Sequence, residues 1–258
     1  MTELRGLNPT ERFSGRVAAY ERYRPSYPQA VLSFLNHEGL TPGHVIADVG
    51  SGTGLLSRLF LENGNRVYGV EPNGAMREAA EAALGSSERF ESVDGRAEAT
   101  GLADGSVDFV AAGQAFHWFE VEPARAEFRR VLKPGGRIVL IWNSRRTDGT
   151  PFLAAYEAFL REWCPEYGEV SRHYADPESL AAIWGPDGYR KSVFENAQEF
   201  DLEGLEGRLL SSSYAPGPGH ARHEAMMAEL GVLFAGHEVE GRVRFEYDTE
   251  VFLGVVRG

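Results

Sequence analysis

The residues best suited to chemistry follow two short apolar runs that are typical of strands. The first run, residues 45–49, carries Asp48 and leads into the loop Gly50-Ser51-Gly52-Thr53-Gly54 and then into a helical pattern. Glycines in such a loop let a ligand approach the backbone, and the turn often requires a positive φ. The second run ends at Glu71. Because the ends of neighbouring strands lie side by side in a doubly wound sheet, Glu71 could accept hydrogen bonds from both hydroxyls of a ribose. The loop and Glu71 together predict one adenosine-sized pocket.

The glycine spacing distinguishes between nucleotide cofactors. Dinucleotide sites have the pattern G-x-G-x-x-G, whereas this loop has G-x-G-x-G, and Leu55 stands where the dinucleotide pattern requires glycine. Asp48 would repel a pyrophosphate but suits a ligand that carries an ammonium and a sulfonium group. On these residues the sequence resembles the class I S-adenosylmethionine-dependent methyltransferases, whose first motif is an acidic residue followed by x-G-x-G-x-G. The resemblance implies that the cofactor is S-adenosyl-L-methionine.

The stretch ahead of the first strand is rich in arginine and aromatic residues, so residues 8–28 are expected to fold as a lid. The stretch contains Tyr20-x-x-x-Arg24-Pro25-x-Tyr27-Pro28. This element resembles one that precedes the nucleotide domain in methyltransferases similar to trans-aconitate methyltransferase. By that resemblance Tyr20 and Arg24 contact the methionine end of the cofactor, and the Arg24 guanidinium suits its carboxylate. Solvation of a surface helix is the alternative interpretation of Arg24.

The loop after the third predicted strand departs from the family pattern. In class I methyltransferases it commonly reads Gly-Asp-Ala-Glu, with the aspartate accepting from the adenine amino group, but here Arg96 replaces the aspartate. Arginine cannot accept a hydrogen bond, so adenine would be read by the backbone around Arg96 and Ala97 or by stacking under the guanidinium. Met76 could press on the ribose or adenine, or fill the core. The expected cofactor contacts are Tyr20, Arg24, Asp48, Gly50, Ser51, Gly52, Thr53, Gly54, Glu71, Pro72, Met76, Arg96, Ala97 and Gln114.

The fourth predicted strand, residues 109–112, leads towards His117 and Trp118. In open α/β sheets the ligand crevice lies outside the carboxyl ends of the strands at the switch point, here between the first and fourth strands. His117 could therefore be a general base, or a structural residue, and Trp118 could wall the sulfonium through a cation–π contact. A carboxylate acceptor would need no base because it is already ionised at neutral pH, whereas a hydroxyl or an amine would make His117 the first candidate. The acceptor stays open among these three classes.

Other residues near the strand ends could meet the substrate. Arg145 follows the fifth predicted strand, residues 137–142, and could either bind an anion or be a solvated surface residue. Tyr214 is implied only by the resemblance to the trans-aconitate-like branch, where the pair Ser213-Tyr214 recurs. The expected catalytic residue is His117, and the expected substrate contacts are Tyr27, Trp118, Trp142, Arg145 and Tyr214.

Composition narrows the class of protein. The formal net charge of −12 argues against a nucleic-acid substrate, which needs a basic surface. The sequence has neither a long apolar run nor an apolar N-terminal segment, which predicts no membrane span or signal peptide. The single cysteine, Cys164, excludes an internal disulfide and fits a reducing cytosol, and no metal-ligand cluster is visible. We therefore expect a cytoplasmic protein with a small-molecule substrate and no nucleic-acid, membrane or metal partner; the oligomeric state stays open.

The order of the predicted elements indicates an α/β fold. We expect a doubly wound, Rossmann-like sheet that is mostly parallel, with an antiparallel last strand and helices on both faces. Residues 1–258 would form one domain, with an N-terminal lid (1–30), a cofactor-binding core (31–145), a helical substrate-cover insertion (146–190), and a final part with two strands and helices (191–258). Two alternatives are weighed against a methyltransferase: an NAD(P)-dependent oxidoreductase, which the glycine spacing opposes, and a non-catalytic S-adenosylmethionine sensor.

Overall fold

The structure, a computed structural model, describes residues 22–168, 177–184, 188–212 and 214–255. Its strands are β1 (Val45–Val49), β2 (Arg66–Val70), β3 (Phe90–Val93), β4 (Val107–Gly113), β5 (Leu132–Arg145), β6 (Tyr189–Phe200) and β7 (Val243–Val255). They form one seven-stranded sheet in the order β3-β2-β1-β4-β5-β7-β6. The neighbours from β3 to β5 are parallel, and β7 runs antiparallel to both β5 and β6. This topology confirms the predicted Rossmann-like sheet and its antiparallel last strand.

Helices cover both faces of the sheet. They are α1 (Gln29–His37), α2 (Leu55–Glu62), α3 (Gly74–Leu84), α4 (Val121–Val131), α5 (Pro151–Trp163), α6 (Pro177–Trp184), α7 (Leu202–Leu210) and α8 (His223–His237). On one face, Leu35 of α1 and Phe60 of α2 are buried with Ile46 of β1. On the other face, Phe128 of α4 and Trp184 of α6 belong to a second apolar cluster. Burial of one apolar face of each helix against the sheet accounts for these positions.

The first two strands position the loop that the sequence singles out. β1 is almost entirely apolar apart from Asp48, because a central parallel strand is covered on both faces. Val49 pairs with Val70, and the Gly50 N–H donates to the Val70 carbonyl at 2.8 Å. The glycine loop and Glu71 therefore emerge at the same edge of the sheet, as expected.

β5 differs from its predicted extent. It begins at Leu132 rather than at residue 137, so that Lys133-Pro134-Gly135-Gly136, which precede the predicted strand, lie inside it. The register with β4 shifts between Val107 and Phe109 at this point, and Gly135 has a φ of +80°. A glycine in the left-handed region accommodates such an irregularity without interrupting the strand.

The C-terminal half adds a third apolar cluster. Phe152 and Tyr156 of α5 meet the ring of Phe245 in β7 at 5.1 and 4.9 Å, and α7 and α8 pack into the same cluster. In the described part of residues 146–190, no residue borders the two pockets described below. The substrate-covering role of that stretch stays a prediction. None of the helices in the described ranges combines the length and apolar character needed to cross a membrane.

Candidate functional site

A cleft at the carboxyl edge of the sheet contains two joined pockets. The Glu71 pocket, about 1000 Å³ including space open to solvent, is bordered by Glu71, Pro72, Met76, Arg96, Ala97 and Trp118. The Asp48 pocket, about 510 Å³ on the same measure, is bordered by Arg24, Tyr27, Asp48, Ser51, Thr53, Asn143 and Arg208. Gly50, Gly52, Gly113 and Gln114 border both pockets, which therefore form one elongated site. All of the expected cofactor contacts border it except Gly54 and Tyr20, and Tyr20 lies outside the described residues.

Two glycines of the loop act in different ways. Gly54 precedes α2 with a φ of +85°, and a Cβ there would lie 2.5 Å from Cδ1 of Leu84 in α3. Gly54 thus lets α2 begin close to α3, and it borders neither pocket. Gly52 has a φ of +56°, and no atom lies within 4 Å of where its Cβ would be. Its missing side chain leaves space inside the cleft.

Glu71 is held in place by two backbone groups. Its Oε2 accepts from the Gly52 N–H at 3.0 Å, and its Oε1 accepts from the Asn73 N–H at 2.9 Å. Burial raises the pKa of the Glu71 carboxyl, although these two hydrogen bonds and the charge of Arg77 oppose the shift. Each carboxylate oxygen has a second lone pair, so a fixed Glu71 can still accept from hydroxyl groups of a ligand in its pocket.

Asp48 is fully buried and only half satisfied. Its Oδ2 accepts from the Ser57 hydroxyl at 2.6 Å, whereas its Oδ1 has no hydrogen-bond partner among the residues that the structure describes. Burial raises the pKa of Asp48 to about 7, and the nearby charge of Glu71 adds to the shift. A buried carboxylate oxygen without a donor is costly, so an ammonium group entering the Asp48 pocket would fit the group that is missing.

The segment before α1 contributes Arg24, Pro25 and Tyr27 to the wall of the Asp48 pocket. The Asn143 amide donates to the carbonyls of Pro25 and Ser26, each at 3.3 Å, and so ties the segment to the end of β5. Arg24 Nη2 donates to the Ser211 carbonyl at 3.1 Å, and the Tyr27 hydroxyl lies against Gly113 where any Cβ would overlap it. Of the described residues of the predicted lid, Arg24, Pro25 and Tyr27 border the cleft, and the role of the segment as a lid stays a prediction.

Gln114 connects the two pockets in an unusual backbone conformation. Its φ is +57°, in the left-handed region that costs a residue with a side chain roughly 1–3 kcal/mol. Its N–H donates to the Ile141 carbonyl at 2.9 Å, and its Nε2 donates to the Asn143 carbonyl at 3.1 Å. These contacts with β5 hold the strained residue where the cleft is shared.

Arg96 borders the Glu71 pocket, but its backbone is already engaged. Its N–H donates to the Ala99 carbonyl at 3.1 Å, and its own carbonyl accepts from the Ala99 N–H at 3.0 Å. Its side chain is 71% exposed and lies 3.8 Å from the Glu98 carboxylate. Two ways of recognising adenine were expected, through the Arg96 backbone or through its guanidinium. The backbone groups are already hydrogen-bonded within the loop, and the guanidinium lies at the exposed rim of the pocket.

The structure places His117 and Trp118 differently. Both belong to a short 3-10 helix, Phe116–Trp118, in which consecutive side chains point about 120° apart. Trp118 borders the Glu71 pocket beside Met76 and Arg96. This is the side of the cleft where the ribose and adenine are expected, whereas Trp118 was expected beside the sulfonium. His117 borders neither pocket. A role for His117 as a base therefore stays a prediction that the outline of the two pockets does not support.

Three expected substrate contacts also lie away from the cleft. Trp142 is 1% exposed and packs against the rings of Phe116 and Phe252, because alternation along β5 turns it away from the face of Asn143. Arg145 pairs with Glu157 of α5 at 2.6 Å. Tyr214 packs edge-on against Tyr167, with ring centroids 5.1 Å apart, and borders neither pocket. These corrections reflect tertiary partners that a local pattern does not contain.

The cleft also contains a residue that the motifs do not indicate. Arg208 borders the Asp48 pocket from α7 and is 7% exposed. No motif surrounds it. The one available signal is a basic residue flanked by Leu205 and Leu209, which are fully buried on the same helix. Asn143, which ties down the N-terminal segment, is a second residue of this kind.

Comparison with known proteins agrees with this geometry. A family model described as "Methyltransferase domain" matches residues 47–140. An uncharacterised methyltransferase of Schizosaccharomyces pombe is 33% identical over 205 residues, which cover 78% of this chain and 77% of that protein. One from Geobacillus thermodenitrificans is 38% identical, with 76% of this chain and 93% of that protein covered.

Solved structures share the fold. A candidate type II methyltransferase of Anaeromyxobacter dehalogenans is 25% identical with a TM-score of 0.67, covering 91% of this chain and 98% of that one. An S-adenosylmethionine-dependent methyltransferase of Geobacter sulfurreducens, solved with S-adenosyl-L-homocysteine, is 19% identical with a TM-score of 0.54, covering 96% and 98%. The relatives, the motif and the cleft agree, and the chain belongs to the methyltransferase family.

Proposed function

We propose that this enzyme transfers the methyl group of S-adenosyl-L-methionine to a small-molecule acceptor. The observation that carries the proposal is the buried Asp48 Oδ1, which lacks a donor in the described structure and borders a pocket joined to that of Glu71. Such a site suits a ligand with an ammonium at one end and ribose hydroxyls at the other. A dinucleotide would instead bring a pyrophosphate towards buried carboxylates.

The cofactor supplies an electrophilic methyl group on a sulfonium, and the protein supplies position. Glu71, fixed by Gly52 and Asn73, would accept from the ribose hydroxyls. Asp48 would accept from the ammonium, and Arg24 would face the carboxylate at the methionine end. The region around Gly113 and Gln114, where the pockets join, would then lie closest to the reacting methyl. Holding the two reactants there and excluding water would account for the rate acceleration.

A small acceptor fits the Asp48 pocket better than a polymer does. The segment carrying Arg24 and Tyr27 lines this pocket and is tied to β5 through Asn143, which would limit access by a polymer. The net charge of −12 opposes a nucleic-acid partner. We also propose a cytoplasmic location and a place in the trans-aconitate-like branch. The branch is supported by the positions of Arg24 and Tyr27 at the cleft, and the location by the lone cysteine.

Calorimetry combined with a transfer assay tests this function. We expect the full chain to bind S-adenosyl-L-methionine and S-adenosyl-L-homocysteine and not NADH. With a labelled methyl donor, we expect label to reach at least one small molecule in a panel of carboxylates, phenols and amines. Binding without transfer to any of them would favour a sensor, and binding of NADH in place of S-adenosylmethionine would overturn the cofactor assignment.

A further inference from the structure

The Glu71 pocket has walls suited to a flat ring but few groups that could recognise the edge of one. Its apolar and aromatic border consists of Met76, Ala97, Trp118 and Phe119. Such walls contact the two faces of a purine, and they do not distinguish one purine from another. The amino group of adenine is a hydrogen-bond donor, so its selective recognition requires an acceptor at the edge of the ring.

Glu98 provides such an acceptor. Among the described residues that border the Glu71 pocket, it is the one carboxylate besides Glu71. Its Oε1 accepts from the Glu120 N–H at 2.8 Å, which holds the side chain between the loop after β3 and the loop after β4. Its Oε2 lies 3.8 Å from Arg96 Nε, too far for a hydrogen bond, and accepts none from the residues that the structure describes. One carboxylate oxygen is therefore fixed, and the other is available.

The backbone of Glu98 is held by a closed turn. Ala97 and Glu98 are the central residues of this turn, and Arg96 and Ala99 close it through reciprocal backbone hydrogen bonds at 3.1 and 3.0 Å. The turn at one end of the side chain and the Glu120 N–H at the other set the position of the carboxylate before a ligand binds. An acceptor fixed in advance binds its donor at a lower entropic cost.

The other polar side chains around this pocket have different partners. On the proposed function, on which this inference rests, Glu71 is assigned to the ribose. The Oδ1 atom of Asn73 caps α3 by accepting from a backbone N–H at 3.1 Å. Gln114 lies where the two pockets join, and the guanidinium of Arg96 cannot accept a hydrogen bond. Glu98 is thus left as the side-chain acceptor for the edge of the ring.

We propose that Glu98 recognises the adenine amino group of the cofactor through its Oε2 atom. Glu98 is then a specificity-determining residue that selects a purine with an amino group. A purine with a carbonyl group at the same position would place its oxygen against the carboxylate, and two acceptors that face each other repel. This assignment accounts for adenine recognition in a loop where Arg96 supplies no acceptor.

The test compares S-adenosyl-L-homocysteine with S-inosyl-L-homocysteine, in which a carbonyl oxygen replaces the amino group. Calorimetry is performed on wild type, Glu98→Gln and the control Glu122→Gln. We expect wild type to bind the adenosyl compound at least about tenfold more tightly than the inosyl compound. In Glu98→Gln the Glu120 N–H takes the amide oxygen, so the amide NH₂ faces the ligand and suits a carbonyl rather than an amino group. The preference for the adenosyl compound should therefore fall by about tenfold or more.

Glu122→Gln removes the same charge from an exposed position on α4 that borders neither pocket, and it should keep the wild-type preference. Equal affinity of wild type for the two compounds would overturn the proposal. An unchanged preference in Glu98→Gln, with both compounds weakened alike, would also overturn it, because Glu98 would then serve only the structure of the loop.

Two further results keep the inference testable. If Glu98→Gln does not fold, Glu98→Asp keeps the charge but shortens the side chain, and its preference should fall by about threefold or more. An unchanged preference in Glu98→Asp would contradict the proposal. Failure of wild type to bind S-adenosyl-L-homocysteine would instead reject the proposed function, whereas binding of both compounds without preference would overturn only the role of Glu98.

Discussion

Two carboxylates in the cleft are held in opposite ways. Both oxygens of Glu71 accept from backbone N–H groups, so its position is fixed before any ligand arrives. One oxygen of Asp48 is hydrogen-bonded, and the other lacks a donor in the part of the chain that the structure describes. Glu71 therefore offers a ready-made acceptor, whereas Asp48 gains its missing hydrogen bond only when a donor binds.

Replacement of Glu71 by glutamine should weaken cofactor binding. The variant keeps the size of the side chain but loses the charge and one acceptor, so that the ribose hydroxyls and the Gly52 N–H compete for fewer lone pairs. We expect a loss of about 1–3 kcal/mol in S-adenosyl-L-methionine affinity, measured by calorimetry. Glu78→Gln, an exposed site on α3, is the matched control and should bind as wild type does. Unchanged affinity in Glu71→Gln would show that Glu71 does not hold the ribose.

The raised pKa of Asp48 predicts a pH dependence of binding. Since burial raises this pKa to about 7, the carboxyl is largely neutral a unit below that pH and largely ionised a unit above it. The ionised form accepts from an ammonium, so affinity for S-adenosyl-L-methionine should rise between about pH 6 and 7, where an α-amino group with a pKa of about 8 still keeps most of its protons. Calorimetry across this interval should show the rise in wild type and a flat, weaker profile in Asp48→Asn. A flat wild-type profile would contradict the assignment.

Single residues were predictable from sequence only where a motif fixes the backbone. Asp48 and Glu71 were found because the ends of adjacent parallel strands must converge. His117 and Trp118 are neighbours in the chain, and no pattern indicates which of two adjacent residues in a tight turn will face the cleft. Arg208 could not be predicted because it lies on α7, far along the chain from the glycine loop, and no motif surrounds it.

At the scale of elements, the junction between β1 and α2 depends on a glycine that borders no pocket. Gly54→Ala places a Cβ at a φ of +85° and 2.5 Å from Leu84 Cδ1, so we expect a loss of about 1–3 kcal/mol in the free energy of unfolding. Gly231→Ala is the matched control, because it lies within α8 with no atom near the added Cβ, and should gain up to about 1 kcal/mol. Urea unfolding of both variants checks the opposite signs. A stable Gly54→Ala variant would show that the turn has an alternative conformation.

The N-terminal segment depends on a side chain far away in sequence. Asn143 donates to Pro25 and Ser26, and its Oδ1 accepts from Thr249 at 2.6 Å. Asn143→Ala removes these links, so trypsin should cleave after Arg22 several times faster, and cofactor binding should weaken because Arg24 moves with the segment. Asn36→Ala, at an exposed amide pair, is the control and should show neither effect. Equal cleavage rates, read by mass spectrometry, would contradict a tie through Asn143.

At the scale of the whole molecule, the sheet was predictable because its strands obey general rules. Buried apolar runs followed by helical patterns dictate parallel pairing and right-handed crossovers, and these place the cleft. The alternating strands at the C-terminus were correctly expected to be antiparallel. The sequence did not show that α5 packs with α8 around Phe245 while α6 packs beside α4, because both helices have apolar faces suited to either location.

The net charge of the molecule and the geometry of the glycine loop should both weaken binding of a dinucleotide. The two effects can be distinguished because only the first depends strongly on salt concentration. S-adenosyl-L-homocysteine at about 100 times its Kd should stabilise the fold by about 2.7 kcal/mol, which raises the Tm of a domain of this size by about 5–10 °C. NADH should give no shift. The net charge of −12 repels it at long range, but this repulsion is screened in about 0.5 M salt, whereas the carboxylates beside the glycine loop and Leu55 in place of a glycine are unaffected. Stabilisation by NADH that appears only at high salt would mean that repulsion by the net charge, and not the glycine loop, prevents NADH from binding. We expect no stabilisation by NADH at either salt concentration.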